Sequence, residues 1–166
     1  DVNRIDWRAA GLDGWLLYDF RGLNPFPAQV LTLGHGILTR RWFLYVPAHG
    51  QATLIHHRIE AGSWQRVLPD QTLHRQEFAS HEQLDQLLRQ TLRGAHRIAM
   101  EYSPHGEVPY VSYVDAGTVE RVRDCGVEVV SSADLLQHFL TWDTADRTAH
   151  DQAVHGVIQA KNLAFQ

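Results

Sequence analysis

Apolar residues follow two rhythms along this chain. Some form short runs bounded by turn residues, and others recur at spacings of three and four. Asp13-Gly14-Trp15-Leu16-Leu17-Tyr18-Asp19 is the first short run and predicts a buried strand. Ahead of it, Arg4 to Ala10 carries Ile5 and Ala9 at helical spacing, with Trp7 off the stripe, and Gly11 offers a stop. Gly22-Leu23-Asn24-Pro25-Phe26-Pro27 follows the strand; its prolines exclude both a helix interior and a central strand. An ordered loop is expected there, with a short helix through Ala28 to Leu33 and a break at Gly34-His35-Gly36.

Arg41-Trp42-Phe43-Leu44-Tyr45-Val46 and Gln51-Ala52-Thr53-Leu54-Ile55-His56-His57 predict two arms of a hairpin, joined by the turn Pro47-Ala48-His49-Gly50. Gln71 to Arg75 suggests a fourth strand. Ser80, with Gln83 three residues later, has the form of a capping box; Leu84, Leu87, Leu88 and Leu92 then make an apolar stripe that ends at Gly94. Arg97 to Tyr102 predicts a fifth strand, Asp115 to Cys125 a helix stopped by Gly126, and Val127 to Val130 a sixth strand. Ser131-Ser132-Ala133-Asp134 opens a helix with Leu135, Leu136, Phe139 and Leu140 apolar, and one long helix is expected from Thr144 onward. The hairpin argues against a purely parallel sheet, while the strand–helix alternation of the second half argues for crossover-connected parallel strands. The expected architecture is therefore a three-layer α/β domain, with a mixed sheet of about six strands flanked by helices.

Composition narrows the function. The 166 residues fit one domain of ordinary size, and a hydrophobic content of 44% supplies a real core. A net charge of −4, with no basic stripe, argues against nucleic acid as a partner. Cys125 is the only cysteine, so neither an internal disulfide nor a cysteine zinc site can form; this suits a reducing, cytoplasmic setting. No apolar run approaches the roughly 18 residues of a membrane span, and none resembles a signal-peptide core.

The search for chemistry returns little. Eleven histidines include no His-Glu-x-x-His, and His56 and His57, adjacent on a strand, face opposite ways. Asp146/His150 and Asp151/His155 have i, i+4 spacing, which reads as solvent-side pairing. Ser103-Pro104 reads as a turn, and Gly-x-Ser-x-Gly is absent. Gly34-His35-Gly36 lacks the spacing of a phosphate loop and reads as a tight turn. Glu101 reads as a strand end and Asp115 as a helix start. Asp19 and Arg21 stand at the carboxyl end of the first strand, where open α/β sheets bind ligands, but a structural Asp–Arg pair explains them. Trp15 and Trp42 read as core, and Trp64 and Trp142 as lying in or beside loops.

The stretches Ala99-Met100-Glu101-Tyr102-Ser103-Pro104, Val108-Pro109-Tyr110-Val111-Ser112 and Asp115-Ala116-Gly117-Thr118-Val119-Glu120 identify a pattern that composition does not. With Gly11-Leu12-Asp13-Gly14, Leu38-Thr39-Arg40-Arg41-Trp42-Phe43 and Ile55-His56-His57-Arg58-Ile59-Glu60, they resemble the N-terminal domain of the creatinase/aminopeptidase P/prolidase family. The Xaa-Pro aminopeptidases and Xaa-Pro dipeptidases are the most similar subgroup. That resemblance implies a ribonuclease-H-like domain over residues 1–143. It also implies that the helix of residues 144–166 leads toward a catalytic domain absent from this chain. In the family that other domain holds two divalent metal ions (manganese, cobalt or zinc) on two Asp, one His and two Glu, and cleaves the bond before proline. No metal ligand and no catalytic residue carries over to this chain, which needs no cofactor of its own. The implied partners are the catalytic domain, further subunits of a homo-oligomer and, for the whole enzyme, proline-containing peptides; nucleic acid and membrane are not among them. Candidates for shaping a substrate entrance are Asn24, Phe26, His35, Arg40 and Arg41. Alternatives are a domain of a creatinase-like or catalytically dead homologue, or a self-contained binding or assembly module.

Overall fold

A computed structural model describes residues 5–31, 33–34, 36–69 and 73–165. The described strands are β1 (Gly14–Asp19), β2 (Trp42–Pro47), β3 (Thr53–His57), β4 (His74–Phe78), β5 (Arg97–Met100) and β6 (Glu128–Ser131). They form one six-stranded sheet in the order β4-β3-β2-β1-β5-β6. β1, β2 and β3 pair antiparallel, while β3–β4, β1–β5 and β5–β6 pair parallel. The mixed three-layer sheet is thus the one the hydrophobic pattern predicts.

Side-chain alternation along the strands divides the interior in two. From β1, Leu16 and Tyr18 join Phe43, Tyr45 and Ile55 on one face. There they meet α4 (His81–Thr91) and α5 (Ala116–Arg123) through Leu84, Leu88, Val119 and Val122. Trp15 and Leu17 point the other way, with Trp42, Leu44 and Leu54. That face is covered by α2 (Phe26–Leu31), α3 (Ala61–Val67) and α6 (Ala133–Leu140), through Phe26, Val30, Trp64, Val67, Leu135 and Leu136. A short helix, α1 (Trp7–Ala10), precedes β1, and α7 (Thr144–Ala164) closes the chain.

Local chemistry sets the element ends. Ser80 caps α4 by accepting from the Gln83 amide at 3.2 Å. The Gln83 side chain reaches back to the Ala79 amide, one residue beyond the reciprocal partner of a standard capping box. Asp115 caps α5 through the amide and hydroxyl of Thr118. Asp143 and Asp146 cap α7 reciprocally, so Asp146 serves the backbone. His56 lies beside Trp64 and His57 beside Phe78, on opposite faces as expected.

Other expectations shift. α2 begins at Phe26, two residues early, because Pro27 in a first turn has no amide to lose there. The hairpin connection is residues 48–52, longer than the expected four-residue turn. β4 lies at His74–Phe78, beyond the expected start; Gln71 and Thr72 lie outside the described residues. The first helix covers only the end of its expected span, and residues 1–4 lie outside the description. The 3₁₀ turn Arg58–Glu60 and α3 behind it were not expected, and Trp64 within α3 is fully buried, not a loop residue.

Gly14 is held bare by its neighbours. A Cβ there would stand 2.6 Å from Tyr45 Cε2 and 2.7 Å from the Val46 carbonyl oxygen, whereas one on Gly62 in α3 would meet nothing within 4 Å. Gly14→Ala is expected to cost about 1–3 kcal/mol of folding stability, and Gly62→Ala to add about 0.5 kcal/mol. Urea unfolding of both variants checks this pair of opposite signs.

Candidate functional site

The carboxyl end of β1 opens into a loop built around carboxylates. Asp19 is buried; its Oδ2 accepts from the Gly22 amide at 2.8 Å and its Oδ1 from the Asn24 amide at 2.9 Å. Those bonds fold the chain through two left-handed residues, Arg21 (φ 63°) and Gly22 (φ 72°). The Asp19–Arg21 pair expected from sequence does not form: the Arg21 guanidinium stands 5.9 Å over the Phe20 ring, and Asp19 serves amides.

Asn24 carries the loop inward. Its Nδ2 donates to the Tyr18 carbonyl at 2.7 Å and to Glu101 Oε2 at 2.8 Å, and its Oδ1 accepts from the Phe26 amide at 3.1 Å. Glu101 follows directly on β5 and has no solvent exposure. Its Oε1 accepts from Trp15 Nε1 at 2.7 Å and from Ser132 Oγ at 3.2 Å. Burial pushes its carboxyl up to about 7, against the pull of the Trp15, Asn24 and Ser132 bonds.

A third carboxylate fixes the facing segment. Glu60 accepts from the Thr39 amide at 2.7 Å, the Thr39 hydroxyl at 2.9 Å and the Arg40 amide at 3.2 Å. The Gly34 amide donates to the Val67 carbonyl at 2.8 Å. Between this segment and the post-β1 loop lies a cleft of about 400 Å³, lined by Pro25, Pro27, Leu33, Trp42 and Val67, with Asp19, Arg21 and Asn24 at its polar end. This volume is in the range of small-ligand sites.

Of the entrance candidates, Asn24 lines the cleft with its side chain committed to the interior. Phe26 is buried against Tyr113, rings 5.4 Å apart. Arg40 is exposed and Arg41 half-buried, and neither lines the cleft. His35 lies outside the described residues. The anchoring roles of Glu101, Asp19 and Glu60 are not evident from the sequence pattern. A signal for Glu101 was present: a charge directly after the apolar triplet Ile98-Ala99-Met100, where the strand is still inside the protein.

The hydroxyls near these acids are themselves engaged in hydrogen bonds. Ser132 Oγ meets only a buried carboxylate, and Ser103 Oγ accepts from the Val108 amide. Among the described residues no group of three or more His, Cys, Asp or Glu could hold a metal ion. No described helix is long and apolar enough to cross a membrane.

No protein-family model matches the chain, and no curated protein matches it in sequence. Its fold does have solved counterparts. Dipeptidase PepE from Mycobacterium ulcerans superposes with a TM-score of 0.64 at 21% identity, over 86% of this chain and 36% of that one. The X-Pro aminopeptidase of Thermotoga maritima gives 0.59 at 14%, over 89% and 39%. The creatinase/prolidase N-terminal domain of an X-Pro dipeptidase from Streptococcus pyogenes gives 0.59 at 10%, over 80% and 91%. At these identities the likeness is one of fold: this chain has the three-layer, mixed-sheet fold of such N-terminal domains. It spans less than two-fifths of the Mycobacterium and Thermotoga chains and most of the Streptococcus domain.

Glu101→Ala would take away the acceptor of the buried Trp15 and Ser132 donors and one of the two acceptors of Asn24 Nδ2. The expected loss is about 2–4 kcal/mol in urea unfolding. Combined with Asn24→Ala, it should show a coupling of about 1 kcal/mol or more. A loss under about 0.5 kcal/mol would mean that Glu101 anchors nothing.

Proposed function

We propose that this chain is the non-catalytic N-terminal domain of a proline-specific metallopeptidase, an Xaa-Pro dipeptidase or aminopeptidase. Its roles are subunit assembly and shaping of the substrate entrance. The observation that carries the reading is the six-stranded fold shared with the N-terminal domain of an X-Pro dipeptidase, over nearly the whole of that domain. Two further features support it. The cleft at the end of β1 is mostly apolar, and the acids in and beside it accept from backbone amides. And α7 is exposed along its length, with Val154, Val157 and Ile158 on one side of it in water. An apolar stripe on a helix is a surface made for a partner; here that partner is the catalytic domain.

On this reading the peptidase is a cytoplasmic homo-oligomer. Its two divalent metal ions sit on the catalytic domain, and their chemistry is activation of a water for attack on the peptide bond. This chain contributes shape and cations, with Arg40 and Arg41 beside the amide-anchored segment.

Residues 1–166 incubated with manganese and an Xaa-Pro dipeptide should release no proline, while the full-length protein should; turnover by the short chain overturns the assignment. In the full-length protein, Arg41→Ala is expected to raise KM for short Xaa-Pro peptides roughly tenfold, the equivalent of one lost charged contact. Unchanged kinetics in both Arg40→Ala and Arg41→Ala would remove the entrance role and leave assembly.

A further inference from the structure

Glu101 has no place in the proposed function, yet it is the most deeply placed acid in the described structure. Its three side-chain donors come from different parts of the fold. Trp15 belongs to β1, and Ser132 is the N-cap residue of α6, directly after β6. Asn24 belongs to the loop between β1 and α2. Asn24 is itself buried and lies over the carboxyl group, so moving the loop is the way to bring water to Glu101 with the sheet intact. No Lys, Arg or His pairs with Glu101 among the described residues.

We propose that Glu101 is a proton-linked latch: the loop of residues 20–25 is closed over its carboxyl group, and one proton there sets how often that loop opens. The same loop forms one wall of the cleft, so the latch controls the shape of that wall.

The direction follows from linkage. With the loop closed, burial holds the Glu101 carboxyl up at about 7. With the loop open, water reaches the group and it returns toward its ordinary value of 4.5. The closed state therefore binds the proton more tightly. Closure is firmest below the open-state value and weakens as pH rises through the closed-state value. Charged groups on the surrounding elements do not supply a competing switch. The loop carries Asp19, bonded to the Gly22 and Asn24 amides, and exposed Arg21. The segment after β5 carries Asp115, bonded to Tyr18 and Thr118; Arg41 acts on Tyr18. On α6, Asp134 and His138 are exposed; α2 carries no charge, and the charges of β5 and β6, Arg97 and Glu128, pair at the far end of their strands.

The test is an NMR titration of the 166-residue chain from pH 5 to 8.5. The Trp15 indole N–H resonance, bonded to the carboxyl, should move with a midpoint near 7. Hydrogen-exchange protection factors of the Gly22 and Asn24 amides, corrected for intrinsic rates, should fall about tenfold between pH 6 and 8. In Glu101→Gln, which is neutral throughout, the Trp15 resonance and both protection factors should be flat across that range. Wild-type data alone decide the matter if that variant does not fold. A Trp15 resonance that does not titrate overturns the proposal. So does one that titrates while loop protection stays constant or rises with pH.

Discussion

The rest of this domain is arranged around a carboxyl group that has no solvent exposure and, among the described residues, no cation paired with it. Glu101 ends β5 inside the protein, and an acid in that position is tolerated only where its oxygens are filled. The donors that fill them fix the relation of β1, the post-β1 loop and the start of α6 in one step. The backbone takes part too: the Glu101 carbonyl accepts from the amides of Tyr113 and Val114, which seats the segment leading into α5. A single residue thus ties together elements spread from Trp15 to Ser132. Hydrophobic packing on the two faces could not specify that junction alone, because it has no direction.

The same device recurs at smaller scale. Asp13 accepts from the amides of His96 and Arg97 and sets the entry to β5 against the entry to β1. Asp19 shapes the loop after β1, and Glu60 seats the segment before β2. In each case a carboxylate takes up backbone amides that an irregular segment would otherwise leave unpaired. The result is a cleft whose irregular walls take their shape from carboxylate–amide bonds.

How much of this the sequence revealed depends on whether a residue speaks through its neighbours in the chain or only through space. The strands with near-continuous apolar runs, β1 and β2, were legible from periodicity, and so were the caps at Ser80 and Asp115, since both act within one turn. β4 is an edge strand, His-Arg-Gln-Glu-Phe, with one buried side chain; its polarity protects the edge and hides the strand. α3 shows only Trp64 and Val67 as an apolar pair and has no side-chain cap, too little for a helical signal. Glu101 is legible as a strand end, and the apolar triplet before it hints at burial, but its partners Trp15, Asn24 and Ser132 lie 86, 77 and 31 residues away, so nothing local shows what it anchors.

The distribution of polar groups also bears on where chemistry can occur. A hydrolytic centre needs a group with a lone pair or proton still uncommitted when substrate arrives. Around this cleft the acids have given their oxygens to amides, an amide side chain and an indole, and Ser103 accepts a loop amide of its own. Past the carboxyl ends of the strands the exposed side chains are of another kind: Arg21 and Leu23 after β1, Val108 and Tyr110 after β5. The buried acids thus hold irregular backbone in place, while apolar side chains such as Leu23, Val108 and Tyr110 stand exposed around them.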